Sequence, residues 1–424
     1  MRIMESNLNL VRGVPASGRE VESFQRGVDQ PSLSNRLAGL VTSLYVHVPF
    51  CAHKCEYCAF YSHLPGGDGV DRYVAALTEE MRMVADGTRL KTVFFGGGTP
   101  SILNLRQWER IFRTMDQVGW LGADEWTVEC NPATVSLDKA KLLKEFGVNR
   151  ISMGVQSLDE ALLDRLGRIH SREMVFKSYD ILRKAGFESI NVDLMFAIPG
   201  QTMPIWEATM NEAMAMQTEH LSCYEVIYEE DTPLFAQLQA GEIDVDEELA
   251  CDMYDRLVTR SQEAGFTRYE VANFAKGIDE SGIPARACRH NVNYWRGGFN
   301  WALGPSAAGF EPRVGEEWGV RTRNWANTTM YCEQIEKGQR ALEPVESLSQ
   351  VRRAGEIAAF GLRMASGWSF PSFKEVTGLD LREGWEEEMK SLRDRGWAVL
   401  EDDGFRLTSD GLRFADCAGA DFLR

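Results

Sequence analysis

From residue 43 onward the chain alternates short β-branched or aromatic runs with amphipathic segments, six times over. The runs are 44–48, 92–95, 126–129, 151–155, 190–196 and 221–227. The helical segments are 72–85, 105–118, 137–146, 158–166, 172–185 and 205–216. Strands that alternate with helices form a parallel sheet, because each helix carries the chain back to the same starting edge. The runs are nearly continuous in apolar residues, as expected of strands covered on both faces. Periodicity does not say whether the sheet closes. A partial barrel of six βα units and an open doubly wound sheet both satisfy it. Either way the strand C-termini share one edge, where α/β folds bind their ligands.

The first run leads straight into Val48-Pro49-Phe50-Cys51-Ala52-His53-Lys54-Cys55-Glu56-Tyr57-Cys58. Three cysteines at C-x3-C-x2-C spacing on a turn can wrap one iron–sulfur cluster. A cubane has four irons, so three protein ligands leave one iron open to a chelating small molecule. Two plainer readings fit the same spacing. One is a zinc site completed by His47, His53 or His63. The other is three buried structural cysteines.

Later strand ends carry polar motifs. The second run ends in Gly96-Gly97-Gly98-Thr99-Pro100. Glycines there allow positive φ and close approach of a ligand to the backbone, although an ordinary tight turn would look the same. No Walker loop or dinucleotide fingerprint follows. The third run ends in Glu129-Cys130-Asn131-Pro132 and the fourth in Gly154-Val155-Gln156-Ser157. The fifth holds Asp193, and Arg168 lies in Leu166-Gly167-Arg168-Ile169-His170. Any one of Glu129, Gln156 and Asp193 could be a satisfied buried polar group. Three at one edge suggest a lining that holds a polar cofactor.

Composition sets the outer bounds. The chain has 424 residues, 44% of them hydrophobic, enough for one barrel-sized domain and a smaller one. No run of about 18 apolar residues occurs, so no integral membrane segment is expected. The N-terminal region mixes arginines with Glu5, Glu20 and Glu22 and lacks an apolar signal core, so neither a secretory signal nor a transit peptide is expected. Nine cysteines, odd in number and partly clustered, point to a reducing cytoplasm rather than a disulfide scaffold. Cys223, Cys251, Cys332 and Cys417 read as structural. A net charge of −17 argues against nucleic-acid binding and names no partner.

Taken together, the cysteine run, the glycine triplet, the Glu-x-Asn-Pro strand and the Gly-Val-Gln-Ser strand resemble the radical S-adenosylmethionine superfamily. The resemblance is to its oxygen-independent coproporphyrinogen III oxidase-like branch and runs from residue 44 to the C-terminus. It implies an α/β fold, a partial (β/α)6 radical SAM barrel, with a small C-terminal helical or winged-helix-like domain. It implies a 4Fe-4S cluster on Cys51, Cys55 and Cys58, with S-adenosyl-L-methionine chelated at the open iron. By matching positions, Tyr45, Gly97 and Glu129 would contact the cofactor at the cluster. Gln156, Arg168 and Asp193 match further cofactor positions, and Tyr57, Gly98 and Thr99 lie within the same motifs.

One position separates subfamilies. The decarboxylating oxidases typically carry a fourth cysteine two residues after the third, where this chain has Phe60. The C-x3-C-x2-C-x-F pattern is similar to a heme-chaperone subfamily of the branch. So is His290-Asn291-Val292-Asn293-Tyr294-Trp295, which matches its H-N-x-x-Y-W motif. An imidazole is a normal axial ligand of heme iron, and Tyr294 and Trp295 can cover a porphyrin face. His290 is therefore the expected heme ligand, near the barrel's later edge, with Cys288 the competing one. Packing residues at the barrel's exit are the plainer reading of His290 and Trp295.

The expected function is heme binding and delivery to an unidentified acceptor protein. The competing one is radical SAM decarboxylation of coproporphyrinogen III, or a related methyl transfer. The expected organisation is a flexible extension over 1–42, the barrel with cluster and heme motif over 43–310, a connecting segment over 311–344, and the C-terminal domain over 345–424. In that last part, helices at 351–365, 373–377 and 385–395 precede a hairpin turning at Asp402-Asp403-Gly404.

Overall fold

The computed structural model describes residues 41–277, 279, 282–313 and 316–424, so the expected flexible extension over 1–42 falls almost wholly outside the described residues. Six parallel strands form the centre: β1 (Ser43–Val48), β2 (Thr92–Gly97), β3 (Glu125–Cys130), β4 (Arg150–Gln156), β5 (Ser189–Phe196) and β6 (His220–Glu225). They neighbour one another in sequence order, without the reversal that an open doubly wound sheet requires. This is the order of a barrel, and it resolves the choice that periodicity left open.

The barrel is partial. Beyond β6 the sheet continues antiparallel through β7 (Thr267–Arg268) and β8 (Asn273–Ala275). At the other edge β9 (Trp301–Leu303) runs parallel to β1, with Tyr45 opposite Ala302.

Outward-facing residues of the strands, among them Leu44, Val46, Val93, Phe95, Val128 and Ile151, pack beneath the surrounding helices in one core. Those helices begin where the sequence supplies caps. Asn104 and Gln107 form a reciprocal capping box, and Ser136, Asp159, Ser171 and Asp246 each accept a backbone N–H in the first turn.

Residues 311–344 are more than a connector. β10 (Ala308–Arg313) and β11 (Glu316–Arg323) pair antiparallel, and β12 (Glu346–Ser347) extends them to a three-stranded sheet. The helix Thr328–Glu336 packs against the helix Gly69–Val84. The join is built around buried Glu80. Its carboxylate accepts from the Gly304 amide at 2.9 Å, Asn324 Nδ2 at 2.9 Å and the Tyr331 hydroxyl at 2.7 Å. The strand Glu316–Arg323 reads EEWGVRTR, too polar for an apolar-run criterion to find.

The C-terminal part has its own core around Trp368, Phe373, Trp385, Phe405 and Phe422. The helices Gln350–Gly361, Phe370–Thr377 and Glu386–Asp394 precede the hairpin of β14 (Ala398–Leu400) and β15 (Gly404–Leu407). β13 (Trp368–Ser369) pairs with β15 and completes a small three-stranded sheet.

Candidate cofactor site

β1 ends at Val48 and the chain turns into the cysteine loop. The loop is closed at its base, where the Cys51 amide donates to the His63 carbonyl at 3.1 Å and the His63 amide to the Pro49 carbonyl at 2.9 Å. All three cysteines are free and half-buried, and all line one cavity at the C-terminal edge of the strands. Beneath the loop, Tyr57 packs with Leu162, Leu166, Met195 and Ile198 and holds it on the barrel.

The glycine triplet fits against this loop. A Cβ on Gly97, at φ +99°, would fall 2.4 Å from the His47 imidazole. One on Gly98 would fall 2.7 Å from the carbonyls of Val48 and Phe50. The Gly98 and Thr99 amides donate to those same carbonyls at 2.8 and 2.7 Å. The glycines are thus needed first for close approach of β2 to the cysteine loop, and only then for a ligand.

Two donors reach the sulfurs. The Thr99 hydroxyl lies 3.5 Å from Cys51 Sγ and Arg168 Nη1 lies 3.5 Å from Cys55 Sγ. Burial raises the Cys51 thiol pKa, while the Thr99 hydrogen bond and, more weakly, the Arg168 charge act the other way, toward the thiolate that iron requires. Arg168 also donates to the Gly154 carbonyl at 2.6 Å, and its buried Nε has no partner among the described residues.

Both ring nitrogens of His47 are engaged, by the Tyr45 hydroxyl and the Tyr61 carbonyl. Those of His63 meet the Leu64 carbonyl and Thr328 Oγ1. Neither of these imidazoles is free to complete a zinc site, while His53, the third candidate, lines the cavity beside the cysteines. Among the described residues no three His, Cys, Asp or Glu side chains converge closely enough for a single metal ion. Three half-buried thiols spread around one cavity, with an Arg and a Thr donating to them, suit a cubane that gives each thiolate its own iron.

The rest of the cavity is polar on one side. Gly97, Gly98, Thr99, Glu129, Gln156, Arg168 and Asp193 all line it. Burial, and secondarily the charge of Asp193, raises the Glu129 pKa to about 8, while the Gly97 amide opposes this by hydrogen bonding to the carboxylate. Asp193 accepts from Asn191 Nδ2 at 2.7 Å and from Ser152 Oγ at 3.2 Å. Gln156 sits at φ 66° beside a bulge in β4, and Ala197 just past β5 at φ 54°. Left-handed backbone at non-glycine residues is strained, and of these two Gln156 lines the cavity.

Two expected site residues are not themselves part of that lining. Tyr45 is mid-strand in β1, its hydroxyl on His47 Nδ1 and its ring packed on Phe94 and Cys288, which line the cavity, and on Ala302 and Ala307. His290 is 3% exposed, its Nδ1 3.0 Å from Thr92 Oγ1, its ring against Phe94 and Tyr45. It sits at the N-terminal base of the first strands rather than at the later edge. The cause is Glu125, the first residue of β3, whose carboxylate accepts from the Arg289 and His290 amides at 2.9 and 3.0 Å and ties the helix Arg289–Trp295 to the base. Trp295 packs with Tyr269, Ala272 and Met364, away from the cavity.

Cys288 and Asn291, by contrast, do line the cavity, as do Ser152, Asn191, Ser222 and Tyr224. The last four share the inward face of β4, β5 and β6. Their spacing, Ser152-x-Gly154-x-Gln156, Asn191-x-Asp193-x-Met195 and Ser222-x-Tyr224, is the period-2 signal that marks them.

Comparison with known proteins bears on this geometry. Residues 45–213 match the family model of the radical SAM superfamily, and residues 348–414 that of the HemN C-terminal domain. Heme chaperone HemW of Bacillus subtilis (strain 168) is 34% identical over 375 residues, covering 87% of this chain and 96% of that protein. Heme chaperone HemW of Lactococcus lactis subsp. lactis (strain IL1403) is 32% identical over 374 residues, covering 86% and 94%. Among solved structures, coproporphyrinogen III oxidase (HemN) from Escherichia coli, a radical SAM enzyme, covers 98% of both chains at 21% identity with a TM-score of 0.77. That last likeness is one of fold.

Proposed function

Because this chain belongs to the radical SAM superfamily, in the HemN-like branch close to HemW, we propose that it is a cytoplasmic heme chaperone that binds heme and passes it to an acceptor protein. Cys51, Cys55 and Cys58 would hold a 4Fe-4S cluster, and S-adenosylmethionine would sit at its open iron against Glu129, Gln156, Arg168 and Asp193. When bound, the cluster supplies one-electron chemistry. This chain's residues hold and shield it: Thr99 and Arg168 favour thiolates, and Tyr57 fixes the loop.

The observation that carries the chaperone reading is Phe60. It lines the cavity beside Cys58, at the position where the oxidases place a further cysteine. Free heme is apolar and redox-active, so carriage by a protein is chemically sensible. His290 remains the proposed iron ligand. Burial, reinforced by Arg150, lowers its pKa to about 3, so the imidazole is neutral, as ligation requires. Its enclosure at the barrel base means that ligation needs the helix Arg289–Trp295 to swing out.

The discriminating experiment is anaerobic incubation of reconstituted protein with S-adenosylmethionine, a reductant and coproporphyrinogen III. No protoporphyrinogen should form. Robust formation that depends on cluster and S-adenosylmethionine would replace the chaperone reading with the oxidase.

A further inference from the structure

A second cavity opens at the opposite end of the barrel, where β3, β4 and β5 begin. Its walls carry Asp124, Glu125, Lys144, Arg150, Glu188, Arg286 and Arg289. The charges do not cancel. Asp124 is paired with Arg89 at 2.6 Å, whereas Glu125 accepts from the backbone amides of Arg289 and His290 and keeps its charge. Glu188 is exposed. Four cations face the two remaining carboxylates, Glu125 and Glu188. The side chains of Arg286 and Arg289 are exposed and have no ion pair or hydrogen bond among the described residues. The Lys144 ammonium lies 5.4 Å from the centre of the Phe187 ring.

Arg150 is the unusual member. It is only 4% exposed, yet its guanidinium makes one long contact, 3.5 Å to Thr127 Oγ1, and its buried Nε has no partner among the described residues. Glu125 and Asp193 offset part of its charge, but its Nε donor stays unsatisfied, and an unsatisfied buried donor is costly unless a partner completes it. Its planar fork suits carboxylate and phosphate oxygens.

We infer that this base pocket is an anion site, in which Arg150, Arg286, Arg289 and Lys144 take a small dianion, either phosphate or a dicarboxylate. The pocket is cationic in a chain whose net charge is −17, so it is a local feature and not part of a general basic surface. Arg150 borders the cofactor cavity as well as this pocket, so an occupant of the base would lie at the partition between the two. The site stands independently of any heme chemistry.

The test is calorimetric titration of the full-length, cluster-loaded protein at low salt with inorganic phosphate in one arm and succinate in the other. At least one arm should saturate at a single site, and the arms decide which oxyanion is preferred. The double variant Arg286→Ala/Arg289→Ala should weaken binding about tenfold or more, the loss expected when two charge-assisted contacts go. Arg393→Ala, on the far C-terminal domain, should leave it unchanged. Arg150→Met should weaken binding with an unchanged circular dichroism spectrum; should that variant fail to fold, the double variant decides. No saturable binding in either arm, or equal affinity in the double variant, overturns the site.

Discussion

Glu129 shows what a single residue contributes to the cavity. Its carboxyl is half-buried, raised in pKa to about 8, and placed where the cofactor's polar groups would meet it. Glu129→Ala should cost about 1.5–3 kcal/mol of S-adenosylmethionine binding, the worth of one charge-assisted contact once the cofactor's ammonium draws the carboxyl back to its ionised form. Calorimetry that finds the affinity unchanged removes Glu129 from the site. Buried histidines give a second prediction. Burial lowers the pKa of His47 to about 4 and of His290 to about 3, so both are neutral in the folded protein. The unfolded chain protonates each below about pH 6.5. Stability is therefore fully present above that pH and falls as pH drops toward 4, by at most about 1.4 kcal/mol per pH unit for each group. Denaturant midpoints at pH 7.5 and pH 5 should differ less in His290→Asn than in the parent; equal differences would show that His290 does not titrate this way. The motif residues were legible because chemistry fixed their spacing. His290 was not, because Glu125, remote in sequence, decides where its helix is anchored.

At the scale of elements, the six parallel strands were readable because strands covered on both faces must be apolar. Their inward residues were harder to read. Ser152, Asn191 and Ser222 form a hydrogen-bonded set on the lumen face, but they interrupt otherwise apolar runs by one residue at a time. The sheet of β10, β11 and β12 escaped because its strands are rich in charge, and residues in or next to it are held by partners elsewhere in the chain, Arg321 by Glu356 and Asn324 by Glu80. The helix Arg289–Trp295 has seven residues and depends on Glu125 at its start. Glu125→Ala should release the Arg289 and His290 amides. Hydrogen exchange at these two should accelerate well ahead of the barrel strands, and equal protection in variant and parent would mean that the helix is held from its other end.

For the whole molecule, one barrel places three thiols, a carboxylate and a guanidinium around the same opening, and a separate C-terminal core closes the chain. The sequential strand order could not be read from periodicity, since pairing depends on which crossovers pack. Family resemblance supplied it, and the sheet order agrees. Anaerobic reconstitution should load about four irons per chain. A Cys51→Ala/Cys55→Ala/Cys58→Ala variant should load none, and retention of that iron would place the cluster elsewhere. The proposal that matters most is heme carriage, and its direct measurement is a titration of the reconstituted protein with heme, followed by the Soret band. A saturable band with one heme per chain, perturbed more by His290→Ala than by Cys288→Ala, is the predicted result. A protein that shows no saturable Soret change at any heme ratio contradicts the chaperone reading outright.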